Sequence, residues 1–291
     1  MLTGEAGLRR AAFGAEPGID DRALAAEAAL TGTTRDAARR RWLAAVVLGA
    51  RGRYAAAASL LVPLSRSGDP LMASLACAAF AAHRRQLGGH AAALAWDGRA
   101  LANAREGVGL ADEDGLDPAG AEADALLGLV ADNLALGRFS AAHRLLARAV
   151  SAHGGWRARV RCGWVGAELA LAEGVAGRAV PLAENAAALA RERAALRHVV
   201  KSDLVLAASL AATGEAGNRA RALGLVETAS GVAEKWGLRS LTWPAGLLAA
   251  DLNPSAEHWN RSRVTRQLYA LLPAADPEGR RLAHNSAWVP I

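Results

Sequence analysis

Gly137-Arg138-Phe139-Ser140-Ala141-Ala142 decides how this chain is read, because the same arrangement returns along it. It recurs as Gly52-Arg53-Tyr54 with Ala57, Gly88-Gly89-His90 with Ala93, and Gly174-Val175-Ala176 with Ala179. A fainter copy is Gly214-Glu215-Ala216. Each copy describes a tight helical hairpin. The glycine closes one helix in the left-handed region, the residue two positions on opens the next helix, and the later alanine lets the pair cross closely. The third residues of successive copies are 36, 49, 37 and 40 positions apart. A period of this length marks stacked helix pairs, each burying the open face of its neighbour.

Helix starts fall where such pairs need them. Asp69-Pro70, Asp117-Pro118 and Asn253-Pro254 each set a capping oxygen before a proline at the first helical position. The pattern predicts helices near residues 20–31, 34–50, 54–66, 70–87, 90–106, 118–136, 139–153, 156–173, 178–194, 197–213, 218–236, 240–251 and 254–272. With 52% hydrophobic but only 4% aromatic residues, the core is built mostly from Ala and Leu, and no β-branched run alternates with period two. The expected fold class is all-α. The one long interval has a local cause: residues 111–124 hold six acids and no base, read as an acidic linker loop inserted between two repeats.

Placed on these glycines, the chain resembles the tetratricopeptide-repeat (TPR) superfamily in degenerate form, with units beginning near Ala38, Ser74, Ala123, Val160 and Val200. Small or apolar residues fall at Ala45, Ala81, Val130, Ala167 and Ala207 on the first helices, and at Ala57, Ala93, Ala142 and Ala179 on the second. The resemblance covers residues 34 to 236 and implies a right-handed superhelix of antiparallel hairpins, a TPR-like α-solenoid. The expected divisions are an N-terminal segment with a capping helix (1–33), repeats one and two (34–110), the acidic loop (111–124), repeats three to five (125–236), and C-terminal capping helices with an apolar tail (237–291).

In such arrays the first helix of each pair lines the concave face. Carried over, that face holds Arg39, Trp42, Arg85, Gln86, Arg161, Trp164, Glu168 and Lys201. Basic groups beside two tryptophans suit an acidic or amphipathic peptide. The same residues read equally as side chains covered by other helices.

Known catalytic patterns are missing. No phosphate loop, nucleophile elbow, His-Glu-x-x-His or Cys-x-x-Cys occurs, and the seven histidines are scattered. The expectation is a non-enzymatic protein without metal or cofactor. A net charge of +6, with lysine only at 201 and 235, reads as the codon bias of a GC-rich genome as readily as selection for an anionic partner. Arg35 to Arg41, Arg157 to Arg161, Arg191 to Arg197 and Arg261 to Arg266 could each track phosphate, but acids interrupt them and no helix-turn-helix accompanies them.

Cys77 and Cys162 read as buried, reduced residues. The charged N-terminus resembles no secretory leader and no apolar run is of membrane-spanning length, so the cytoplasm is expected. Residues 286–291 (Ser-Ala-Trp-Val-Pro-Ile) are apolar enough to dock on the body or to join a neighbouring copy. The leading expectation is an adaptor or regulatory protein that binds a peptide segment of a partner protein. The alternatives are a nucleic-acid-associated regulator, or a small-molecule or peptide sensor like those of TPR-bearing bacterial regulators.

Overall fold

A computed structural model describes residues 4–32, 34–152 and 155–291. Residues 1–3 and Thr33 of the N-terminal segment, and His153 at the end of the helix expected over 139–153, lie outside it. The described residues form fifteen α-helices and no strand. In chain order they are α1 Glu5–Phe13, α2 Asp21–Ala28, α3 Arg35–Ala50, α4 Tyr54–Leu64, α5 Pro70–Gln86, α6 His90–Ala104, α7 Pro118–Ala135, α8 Phe139–Ser151 and α9 Gly155–Ala172. They continue with α10 Ala176–Glu192, α11 Leu196–Ala211, α12 Ala216–Lys235, α13 Arg239–Leu252, α14 Glu257–Leu271 and α15 Pro277–His284.

The hairpin glycines close their helices in the way expected. Gly52, Gly88, Gly137, Gly174 and Gly214 all have φ between +71° and +75°. At the first four, the next amide reaches back to the last turn of the helix, as Arg53 N–H to Leu48 O (2.9 Å) and Arg138 N–H to Asn133 O (2.8 Å). The nine small positions carried by the repeat, Ala45, Ala81, Val130, Ala167, Ala207, Ala57, Ala93, Ala142 and Ala179, are all 0% exposed. Eight of the nine are alanine, the small side chain that lets packed helices approach closely.

The Asp-Pro starts act as caps. Asp69 accepts the Leu71 amide at 3.0 Å, and Asp117 accepts that of Gly120 at 2.7 Å. Asn253-Pro254 instead opens a short 3-10 turn, Pro254–Ala256, before α14, and its side chain accepts Ser255 Oγ. Two helices have no counterpart in the sequence reading. The first is α1. The second is α15, whose Asp276-Pro277 start carries the same capping signature, with the Gly279 amide 3.0 Å from Asp276 Oδ1.

Consecutive helices pack on one another, and the first helices of the pairs form a second set of contacts: α3 with α5, α5 with α7, α7 with α9, α9 with α11, and α11 with α13. Since α13 also touches α3, this row returns on itself. The short helix α1 lies against both α3 and α11, burying Leu8 and Phe13 in the largest core cluster with Trp42, Phe80 and Trp156. At the other end the tail docks back on the body. Val289 is buried in a cluster with Tyr54 and Leu87, and Ser286 Oγ donates to Gly88 O at 3.4 Å.

Candidate binding groove and polar interior

The eight residues expected to line a concave face do sit on the row of first helices, but most have partners within the chain. Arg39 faces Glu5 of α1 at 3.5 Å, and Trp42, 2% exposed, lies 6.3 Å from the Phe13 ring. Helix α1 therefore covers this part of the row. Arg85 is bonded to Asp97 and, at 3.2 Å, to Asp132. Gln86 Oε1 accepts the Tyr54 hydroxyl at 2.7 Å. Arg161 is bonded to Asp124. Trp164 donates its indole N–H to Ser202 Oγ at 2.8 Å and lies 6.0 Å from the Lys201 ammonium, which pairs with Glu168 at 3.0 Å. Of the eight, Arg39, Glu168 and Lys201 keep substantial exposure, between 26% and 36% of the side chain.

The acidic segment supplies the counter-charges of the interior. Arg9 of α1 is bonded to Asp112 and Asp114, each at 2.7 Å. Arg157 donates to Asp114 O at 2.7 Å and to Asp124 Oδ2 at 2.9 Å. Burial alone would raise the Asp112 and Asp124 carboxyls. Their arginine partners, helped at Asp112 by two backbone amides, outweigh it and hold both below the usual range. The sequence showed the six charges but not their mates, since Arg9 and Asp112 are 103 positions apart.

A second polar knot joins α5, α6 and α7. Two fully buried carboxylates, Asp97 and Asp132, share the Arg85 guanidinium, with His90 Nδ1 3.8 Å from Asp132. Burial, reinforced by the neighbouring Asp132, pushes the Asp97 carboxyl up to about 8 against the pull of Arg85.

One open trough is lined by three helices, and the sequence reading did not single it out. Helix α8 contributes His143, Leu146, Ala149 and Val150, and α9 contributes Ala158, Arg159, Cys162 and Gly166. Helix α10 adds Arg178, Leu182, Ala186 and Leu189. Each set follows the three-and-four spacing of a single helix face. The volume is about 700 Å³.

Gly166 forms its floor. A Cβ there would lie 3.3 Å from Leu182 and 3.8 Å from Leu146, the walls on either side. Val150 is 62% exposed and Leu182 37%, so the apolar lining is open to solvent. At one end Glu173 holds His143 at 2.6 Å and Arg178 at 3.8 Å; at the other, Arg159 has no carboxylate within 4.0 Å among the described residues. A signal existed in Val150, an apolar residue on a helix that buries only Ala142 and Ala149.

The arginine rows are largely answered from within. Arg35 pairs with Asp69 (2.6 Å), Arg40 with Glu27 (2.7 Å), Arg191 with Asp203, Arg261 with Asp251 (3.0 Å) and Arg263 with Glu234. Both thiols are unpaired with each other, and burial pushes each up. Among the described residues no group of three or more His, Cys, Asp or Glu is placed to hold a metal ion, and no helix is long and apolar enough to cross a membrane. Compared with known protein families and with the curated proteins, the chain matches none.

Proposed function

We propose that the chain is a TPR-like, non-catalytic adaptor that receives an amphipathic helix, acidic on its flanks, from a partner protein in the trough between α8, α9 and α10. The observation that carries this reading is the convergence of three apolar helix faces on one open trough whose lining carries the bases His143, Arg159 and Arg178 and, among the described residues, no carboxylate. An apolar channel accepts the apolar stripe of a helix, and a basic rim selects acids beside that stripe.

Dimensions favour a helix as the occupant. The lining runs along α9 from Gly155 to Leu169, which at helical rise is about 21 Å, the length of a helix of about fourteen residues. The glycine floor lets such a segment approach closely. The row of first helices is the less accessible surface, because α1 lies over Arg39 and Trp42 while Arg85, Gln86 and Arg161 are engaged inside the chain.

Selection from a displayed library of sixteen-residue peptides tests the reading. Wild type should enrich sequences with apolar residues at helical spacing flanked by Asp and Glu, and Val150→Glu or Leu182→Glu should abolish their capture without lowering the melting temperature. No enrichment, enrichment of basic or non-helical sequences, or capture indifferent to both substitutions would each refute it.

A further inference from the structure

The first turn of α11 carries polar groups that nothing among the described residues answers. Helix α11 begins after Ala195 with no side-chain cap. Its Leu196 amide donates to Gly14 O at 3.0 Å, whereas the next two amides, of Arg197 and His198, have no acceptor among the described residues. The Arg197 guanidinium has no carboxylate within 4.0 Å and no hydrogen-bond acceptor among them either. Beside it, His198 is 5% exposed and its Nδ1 is unpartnered. His198 is fixed by packing, stacked on Trp164 at 5.6 Å and edge-on to Trp156 at 4.9 Å.

The surroundings are cationic. Arg157 and Arg161 divide the single carboxylate Asp124, leaving this region with a surplus of positive charge before Arg197 is counted. Burial and these two arginines push Arg197 down to about 10. Its charge acts on His198, and also on Tyr54 and His83 across the interior, where His83, 8% exposed, likewise has an unpartnered Nδ1. A half-buried guanidinium without a counter-charge is costly to a fold, and an anion that supplies the charge stabilises it.

We propose that the chain binds a small oxyanion, a phosphate or carboxylate group, at the first turn of α11, held by the Arg197 guanidinium, the Arg197 and His198 amides and the His198 Nδ1. Amides of a helix start and an arginine fork are complementary to such a group in both charge and geometry. This site is separate from the trough between α8 and α10, and either can fail without the other.

The test compares the thermal melting of wild type, Arg197→Met and Arg159→Met in sodium phosphate, sodium acetate and sodium chloride at equal ionic strength. Titration calorimetry with inorganic phosphate and with acetate accompanies it. General salting effects act on all three proteins alike, so the differences are what count. Wild type and Arg159→Met should bind one of the two oxyanions saturably and gain about 4 °C at a hundredfold excess over the dissociation constant. Arg197→Met should bind neither, and in chloride should melt no lower than wild type, since it loses an unpaired charge. Saturation by phosphate only or by acetate only identifies the group. Absence of saturable binding, an equal gain in Arg197→Met, or a large fall in its melting temperature in chloride overturns the proposal.

Discussion

Arg9 and Asp112 meet end to end across 103 residues of chain, with Nη2 2.7 Å from Oδ2 and Nη1 3.1 Å from Oδ1. Asp114 takes the same guanidinium at 2.7 Å. This junction fastens the first helix to the acidic segment, and all three side chains are about 85% buried. Removing the cation strands two carboxylates away from water. Arg9→Met should therefore destabilise the fold by about 2–4 kcal/mol in urea unfolding. The Asp112→Asn, Asp114→Asn, Arg9→Met triple variant should recover much of that loss. A single variant as stable as wild type would show that α1 is held by Leu8 and Phe13 alone.

Acid should weaken the protein in two stages. Burial, with Arg197, Arg84 and Arg85 nearby, pushes His83 down to about 3, and burial with Arg197, Arg157 and Arg161 nearby lowers His198. Unfolding frees both to take protons at about 6.5. The unfolded state binds more protons below that pH, so stability is full above it and falls as pH drops toward 3. Asp112, Asp124 and Asp276, all held low, add a second loss below about 4. Urea midpoints between pH 7.5 and 5 should fall less in His83→Gln and His198→Gln than in wild type; identical slopes would contradict this assignment.

The knot of Arg85, Asp97 and Asp132 predicts an asymmetry. Arg85→Met leaves the buried Asp97–Asp132 pair without its cation and should cost about 3–5 kcal/mol. Asp97→Asn leaves one pair intact. An unfolded Asp97 loses its proton at about 4 while the folded protein holds it up to about 8, so wild type loses stability as pH rises from about 4 to about 8. Asp97→Asn should then cost under about 1 kcal/mol at pH 6 and become relatively more stable than wild type by pH 9. Equal losses in the two variants would exclude this charge arrangement.

Two glycines of α9 should respond differently to alanine. At Gly163 a Cβ would meet Ala186 Cβ at 2.8 Å and Leu182 O at 2.9 Å, so Gly163→Ala must push α10 outward, at about 1–3 kcal/mol. At Gly166 the nearest atom is a Leu182 methyl at 3.3 Å, at the end of a half-exposed side chain. Gly166→Ala should keep full stability, since the leucine can turn into the trough. Thermal melts of the two variants decide the point, and a reversed order would mean that α9 and α10 are spaced differently.

Much of the fold was legible because hairpins are local. A glycine at positive φ and an alanine at a crossing point are fixed by a few neighbours, which is why the five turn glycines and nine small positions appear where the repeat puts them. Helix α15 is equally legible in Asp276-Pro277, the same capping signature standing beyond the last repeat. Helix α1 was hidden, since nine residues make too short a pattern without the surfaces of α3 and α11. The acidic segment was seen as charge but not as counter-charge, because its partners come from distant helices. For the same reason Arg85 and Arg161 read as ligand-facing groups, while of the trough only Val150 stands out in the sequence, its other walls being ordinary leucines and glycines whose exposure depends on how α8 and α10 flank α9.

Site-specific cross-linking tests the central claim most directly. A benzophenone side chain would be placed singly at Val150, Leu182 or Arg39 of the full chain and irradiated with a peptide taken from the display selection. The trough reading predicts adducts from Val150 and Leu182 and none from Arg39. Adducts from Arg39 with none from the other two would place the partner on the row of first helices and contradict it.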